Sequence, residues 1–102
     1  MSEFIPIAHL PELREGEGRC IEVRGRRIAL FLVGGRPYAI DDTCPHEAGS
    51  LSDGKVEGTE VECPWHGACF DLATGKCLAL PAQEDVRSYN LRVVGDDVEI
   101  EL

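Results

Sequence analysis

The sequence predicts an all-β fold, an antiparallel β-sandwich or a small barrel. Three observations favour this class. Short segments with alternating or continuous apolar residues recur along the chain, residues typical of tight turns separate them, and no segment has the period of a long helix. With 102 residues, of which 43% are hydrophobic, the chain has the size and composition of one globular domain over residues 1–102.

The first half of the chain contains the clearest strand patterns. Ile21 and Val23 alternate with charged residues, which predicts a half-buried strand. Gly34-Gly35 predicts a two-residue hairpin turn, because both positions tolerate positive φ. The elements expected here are a strand at Phe4–Ile7, a helical turn over Leu10–Glu15, a strand around Ile21–Val23, a turn at Gly25-Arg26, and strands at Ile28–Val33 and Arg36–Ile40.

The second half has fewer regular segments. We expect a strand over Val56–Cys63, and a closing hairpin in which Tyr89–Val94 and Val98–Leu102 flank a turn. Two segments rich in Cys, His, Gly and Pro, 41–55 and 64–81, interrupt the strand pattern. Because functional residues concentrate on loops that a rigid scaffold holds, these two segments are the candidates for a site.

The charge balance excludes some partners. The chain carries 10 basic and 19 acidic residues, a net charge of -9, which argues against binding nucleic acid or anionic membranes. The longest apolar run, Ile28–Val33, has six residues and is far too short to span a membrane. The first four residues show no signal-peptide features, so we expect a cytoplasmic protein.

Residues 41–71 hold much of the negative charge. This segment has one base, Lys55, and eight acids: Asp41, Asp42, Glu47, Asp53, Glu57, Glu60, Glu62 and Asp71. One interpretation is a solvated acidic surface that keeps a small protein soluble. The other is an acidic face around a site that docks basic partners.

Two short motifs contain the candidate metal ligands. Cys44-Pro45-His46 lies in the first loop segment and Cys63-Pro64-Trp65-His66-Gly67 in the second. Each loop therefore offers one thiolate and one imidazole, ligand types that suit zinc or an iron–sulfur cluster. Five cysteines in a chain without a signal peptide favour metal binding over a disulfide framework.

The two motifs closely resemble the Rieske iron–sulfur signature, C-x-H followed by C-x-x-H after a spacer of similar length. The resemblance extends to Gly49–Gly54, Phe70-Asp71 and Leu80–Ala82, and so to essentially the whole chain. It implies a Rieske-type antiparallel β-sandwich with a small cluster-binding subdomain, formed by loops at about 43–55 and 62–82.

The resemblance also implies the cofactor and its ligands. One Rieske-type 2Fe-2S cluster is expected, with Cys44 and Cys63 on one iron and His46 and His66 on the other. Ala68 and Phe70 stand where high-potential members of the family have hydroxyl donors to the cluster, so a potential near the low end of the Rieske range is expected. We interpret Cys20 as a core residue, and Cys69 and Cys77 as packing residues close to the site.

The implied function is electron transfer, because the chain is similar to the stand-alone Rieske ferredoxins of bacterial ring-hydroxylating oxygenase systems. Such a protein is a monomer without catalytic residues of its own. It carries one electron from a flavin-dependent ferredoxin reductase to a terminal oxygenase. Two alternatives stay open at this point: the small subunit of an assimilatory nitrite reductase, and a structural zinc module with an interaction role.

Overall fold

The computed structural model describes residues 3–44, 49–64, 67–79 and 84–102, and within these ranges more than half of the residues are in strands. Two 3-10 turns, Leu10–Glu12 and Leu51–Asp53, accompany the strands, and no helix in the described ranges could cross a membrane. The strands are β1 (Phe4–His9), β2 (Gly18–Val23), β3 (Arg26–Val33), β4 (Arg36–Asp41), β5 (Lys55–Glu57), β6 (Glu60–Glu62), β7 (Cys69–Asp71), β8 (Cys77–Ala79), β9 (Ser88–Tyr89), β10 (Leu91–Val94) and β11 (Asp97–Glu101).

These strands form three antiparallel sheets. The terminal sheet has the order β1-β11-β10, the central sheet β2-β3-β4-β9, and the distal sheet β5-β6-β7-β8. The N- and C-terminal strands therefore pair with each other, whereas the distal sheet is built entirely from the chain between β4 and β9. The predicted all-β antiparallel class is confirmed.

Strand β3 is buried on both faces and separates two cores. Its side chains alternate, so that Ile28 and Leu30 pack toward the terminal sheet while Ala29 and Phe31 pack toward the distal sheet. A strand covered on both sides has a continuous apolar sequence, which explains the run that predicted it. The terminal core contains Val23, Ile28, Leu30, Ala39, Val98 and Ile100, and the distal core contains Ala29, Phe31, Ile40, Cys44, Leu51, Val61, Cys63, Ala68, Phe70, Leu72 and Val86.

The β3–β4 hairpin fixes which residues enter which core. Gly34 and Gly35 both adopt positive φ, 61° and 77°, as the predicted two-residue turn requires. The resulting register places Leu30 opposite Ala39. A large side chain thus faces a small one in the terminal core, which lets the layers pack without voids.

Two predicted strands are divided in the structure. The prediction of a single strand over Val56–Cys63 is wrong. Gly58 has a φ of 57° and turns the chain between β5 and β6, so this segment forms a hairpin. The strand expected at Tyr89–Val94 splits between two sheets, because Tyr89 pairs with Ala39 of the central sheet while Leu91 pairs with Ile100 of the terminal sheet.

Two turns lie at residues that differ slightly from those predicted. The helical turn is confined to Leu10–Glu12, since the backbone is already extended at Leu13. The turn before β3 lies at Arg24-Gly25, where both residues have positive φ, and Arg26 is already in the strand.

Removal of one side chain from β3 tests the two-core arrangement. Leu30→Ala should lower the free energy of unfolding by about 2–5 kcal/mol, because Leu30 is fully buried. Leu32→Ala in the same strand, where the side chain is only half-buried, is the matched control and should cost less than half as much. Urea denaturation of both variants, followed by far-UV circular dichroism, measures the difference; equal losses would contradict the two-core account.

Candidate metal centre

The two loops that begin at Cys44 and Cys63, called the ligand loops, follow strands β4 and β6. Each is closed by a backbone hydrogen bond from its cysteine. The backbone N–H of Cys44 donates to the carbonyl of Gly49 at 2.9 Å, and the N–H of Cys63 donates to the carbonyl of Ala68 at 2.7 Å. Antiparallel pairing of the neighbouring residues flanks both loops. Each cysteine is therefore the first residue of a closed loop of equal length, spanning 44–49 and 63–68.

Both cysteine side chains are buried in the distal core. Cys44 is 2% exposed and Cys63 1% exposed, and both belong to the same cluster of buried residues as Ala68 and Phe70. Two thiols held in one apolar environment, each at the base of a short loop, are a donor arrangement that fits a soft metal centre. The other two predicted ligands, His46 and His66, lie outside the described residues, as does Trp65.

Two glycines allow the loops to approach the sheet backbone. A Cβ on Gly54 would lie 2.3 Å from the carbonyl oxygen of Glu62, so only glycine fits between the two loop segments. Gly67 has a φ of 73° and its N–H donates to the Cys63 carbonyl at 3.1 Å.

Asp42 anchors the first loop, a role that the sequence analysis missed. Its carboxylate is 1% exposed and accepts a hydrogen bond from the N–H of Ser52 at 2.9 Å and a longer one from the Arg27 guanidinium at 3.4 Å. Its backbone carbonyl accepts from the N–H of Leu51 at 2.7 Å. Asp42 thus ties the central sheet to the chain that follows the first loop.

The hydrogen bonds outweigh the effect of burial on Asp42. Burial alone would raise the pKa of this carboxyl, but donors from the side chain and backbone of Ser52, with the side chains of Ser50 and Cys20, lower its pKa below the usual value of 3.8. The carboxylate is therefore charged at neutral pH and stabilises the fold in that form.

The acidic segment is only partly a solvated surface. Asp41 accepts from the Tyr89 hydroxyl at 2.6 Å, and Asp71 accepts from two backbone N–H groups of the following turn at 2.8 and 3.0 Å. Together with Asp42, these acids have structural roles. The exposed acids of the segment are Asp53, Glu57, Glu60 and Glu62, and Glu47 lies outside the described residues.

The prediction that Cys20 is a core residue is wrong. Cys20 is exposed and lies on β2, the edge strand of the central sheet. Partial desolvation and the Asp42 carboxylate raise the pKa of the Cys20 thiol, while Arg27 opposes the shift. The thiol is thus protonated and weakly nucleophilic at neutral pH.

Cys69 and Cys77 lie on strands β7 and β8 of the distal sheet. Cys77 packs against the distal core, whereas Cys69 lies close to Glu62 and Glu60. Partial desolvation, followed by these carboxylates, raises the pKa of the Cys69 thiol. No disulfide joins them in the structure.

Comparison with known proteins decides the family. The family model described as "Rieske [2Fe-2S] domain" matches residues 3–90. The chain belongs to the Rieske [2Fe-2S] family. The predicted cofactor, one Rieske-type 2Fe-2S cluster, is confirmed, and the buried pair of cysteines in this Rieske chain fits it.

Two curated relatives cover nearly the whole Rieske chain. The ferredoxin component of the naphthalene 1,2-dioxygenase system of Pseudomonas aeruginosa is 38% identical over 98% of this chain and 96% of its own length. The 3-phenylpropionate/cinnamic acid dioxygenase ferredoxin subunit of Escherichia coli (strain K12) is 46% identical over 95% and 89%, respectively. The predicted resemblance to ferredoxins of oxygenase systems is confirmed.

Solved structures agree with the fold. A chain from a structure titled "Complex of reduced oxygenase and oxidized ferredoxin in carbazole 1,9a-dioxygenase" matches with a TM-score of 0.89 at 28% identity, over 95% of this chain and 91% of that one. A putative NADH-dependent nitrite reductase small subunit from Mycobacterium tuberculosis has a TM-score of 0.91 over 100% and 96% of the two chains, but its 22% identity shows the fold alone.

Replacement of Asp42 tests its anchoring role. Asp42→Asn should lower the free energy of unfolding at pH 7 by about 1–3 kcal/mol, because charge-assisted hydrogen bonds to a buried carboxylate are lost. The folded-state pKa lies below 3.8, so the contribution is complete above the unfolded pKa and disappears as pH falls through the folded value. Wild type and variant should therefore converge in stability only as the pH falls below about 3.8 and through the lower folded-state pKa.

The matched control is Asp53→Asn, which neutralises an exposed carboxylate in the same loop segment. It should leave the free energy of unfolding within about 0.5 kcal/mol of wild type, both at pH 7 and below pH 3.8. Urea midpoints by circular dichroism measure both variants. A difference for Asp42→Asn that stays constant as the pH falls well below 3.8 would show that the charge of Asp42 does not stabilise the loop.

Proposed function

We propose that this protein is a one-electron carrier, a soluble cytoplasmic Rieske ferredoxin that takes an electron from a flavin-dependent reductase and delivers it to a terminal ring-hydroxylating oxygenase. The observation that carries the proposal is the pair of equal loops, each of which starts with a cysteine buried in the distal core. In a chain that the Rieske family model matches over residues 3–90, these are the thiols expected at the cluster.

The ligand assignment is part of the proposal. Cys44 and Cys63 hold one iron, and His46 and His66 hold the other, so that each loop contributes to both metal ions. When bound, a Rieske cluster supplies a one-electron redox centre whose potential exceeds that of all-cysteine plant-type clusters. The surrounding apolar residues, among them Leu51 and Phe70, exclude water from the cysteine side of the site.

The oxygenase is proposed as partner because of the relatives. Both curated relatives named above are ferredoxin components or subunits of dioxygenase systems, and a matching solved structure contains a ferredoxin together with an oxygenase. We propose that this chain acts as a monomer and performs no catalysis of its own. The reductase is inferred from the need to reload the carrier after each transfer.

Cysteine substitutions test the ligand assignment. Cys44→Ala and Cys63→Ala should each abolish the cluster, because iron bound by thiolates cannot be held by a methyl group. The measurements are iron and acid-labile sulfide content and the visible absorption of anaerobically purified protein.

Cys20→Ala and Cys69→Ala are the matched controls. They remove a thiol from the same chain, at an exposed position and at a half-buried position of the distal sheet. Both should retain iron and sulfide at the wild-type level. Cluster loss in a control variant, or a full cluster in Cys44→Ala or Cys63→Ala, would refute the assignment.

The reduction midpoint tests how the surroundings tune the centre. Ala68 and Phe70 are fully buried and offer no hydroxyl, so we expect a midpoint near the low end of the Rieske range, about -150 mV. Ala68→Ser should raise it, since a hydroxyl donor to the cluster favours the reduced state. A spectroscopic redox titration measures both; a wild-type midpoint above about +100 mV would contradict this account.

A further inference from the structure

Glu62 is the last residue of β6 and directly precedes Cys63, the first residue of the second ligand loop. Val61, the residue before it, is fully buried in the distal core, so the Glu62 side chain points to the outer face of the distal sheet, where it is exposed. In the sheet register, Glu62 lies opposite Cys69 of β7. The outer face thus places a carboxylate at the start of the loop.

The carboxylate of Glu62 also reaches the far end of the same loop. A Cβ on Gly67 would lie 3.4 Å from Oε1 of Glu62, which is van der Waals contact. The thiol of Cys69 donates to the carbonyl of the same Gly67 at 3.6 Å. In the sequence, Gly67 directly follows His66, one of the proposed ligands. The Glu62 carboxylate therefore lies against the backbone of the second ligand loop.

The charge of Glu62 acts on the groups around it. After partial desolvation, the Glu62 carboxylate contributes most to the raised pKa of the Cys69 thiol, ahead of the carboxylate of Glu60. Lys55 lies opposite Glu62 in the sheet, but its ion pair in the structure is with Glu57 at 3.7 Å, between two mostly exposed side chains. Because an exposed carboxylate is ionised at neutral pH, Glu62 places a negative charge beside the loop.

A fixed negative charge at this place opposes reduction of a bound cluster. Reduction adds one unit of negative charge to the centre, and the repulsion between like charges rises as their separation and the local dielectric constant fall. Cys63 is 1% exposed within the apolar distal core, so bulk water does not surround this side of the loop. The carboxylate should therefore destabilise the reduced form more than the oxidised form.

We propose that Glu62 tunes the redox centre: its carboxylate lowers the reduction potential and so makes the reduced protein a stronger electron donor. The proposal rests on the electron-carrier function above. The step concerned is the one-electron reduction already described, in which the reductase loses the electron and no bond forms or breaks. Glu62 does not bind iron in this account, because it acts through its charge across the backbone of the loop.

Spectroscopic redox titration of the cluster-loaded full chain at low ionic strength tests the proposal. Glu62→Gln removes the charge and keeps the size of the side chain. It should shift the reduction equilibrium about fivefold toward the reduced form, which raises the midpoint by about 40 mV for one electron. Glu62→Lys reverses the charge and should shift the equilibrium further in the same direction. Glu62→Asp keeps the charge and should stay within about twofold of wild type.

The matched control is Glu60→Gln. It removes an exposed carboxylate from the same strand and the same face of the sheet, two residues and so about 6.5 Å further from the loop. Because the repulsion weakens with distance, this variant should shift the equilibrium by less than about twofold.

Three results would overturn the proposal: an unchanged midpoint in Glu62→Gln, equal shifts in Glu62→Gln and Glu60→Gln, or a shift in Glu62→Asp as large as that in Glu62→Gln. The last result would mean that the shape of the side chain, and not its charge, sets the midpoint. Iron content and visible absorption report the cluster in each sample. An intact cluster with an unchanged midpoint rejects the role of Glu62 alone, whereas wild-type protein that holds no cluster rejects the electron-carrier proposal.

Discussion

The burial of strand β3 on both faces is the constraint on which the other layers depend. Its alternating side chains belong to two different cores, so the central sheet needs a covering layer on each side. The terminal sheet covers one face by pairing the two ends of the chain, and the distal sheet covers the other. The distal sheet, which carries the ligand loops, therefore also covers one of the two hydrophobic cores. The buried residues beside the candidate site are the same residues that form this core.

The position of the site follows from that arrangement. Cys44 and Cys63 each follow the end of a strand, and their side chains complete the distal core. Asp42 and Gly54 then fix the first loop, one by hydrogen bonds to the backbone after it and the other by direct backbone approach to the second loop segment. Charge is arranged around the loops as well, with exposed glutamates on the distal sheet and arginines beside the base of the first loop.

Local patterns predicted a large part of this architecture. The Gly34-Gly35 turn and the apolar run before it predicted the central hairpin, because turn chemistry and burial act on neighbouring residues. The motif spacing singled out Cys44 and Cys63, which the structure buries in the same core. Residues whose role depends on distant neighbours were missed. The buried Asp42 carboxylate accepts a hydrogen bond from Ser52 of the 51–53 turn, and Cys20 is exposed on the edge strand β2. Likewise, the change of sheet between Tyr89 and Leu91 leaves no local signal.

The central claim is that two loops of one chain share a single cluster through two cysteines and two histidines. Pulsed electron paramagnetic resonance of the dithionite-reduced protein tests it most directly, because nuclear spins bound to the iron couple to the unpaired electron. The account predicts a reduced signal with an average g value below that of the free electron and couplings to two histidine nitrogens, one lost in His46→Cys and the other in His66→Cys. A colourless protein with stoichiometric zinc, or a cluster without nitrogen couplings, would contradict the account.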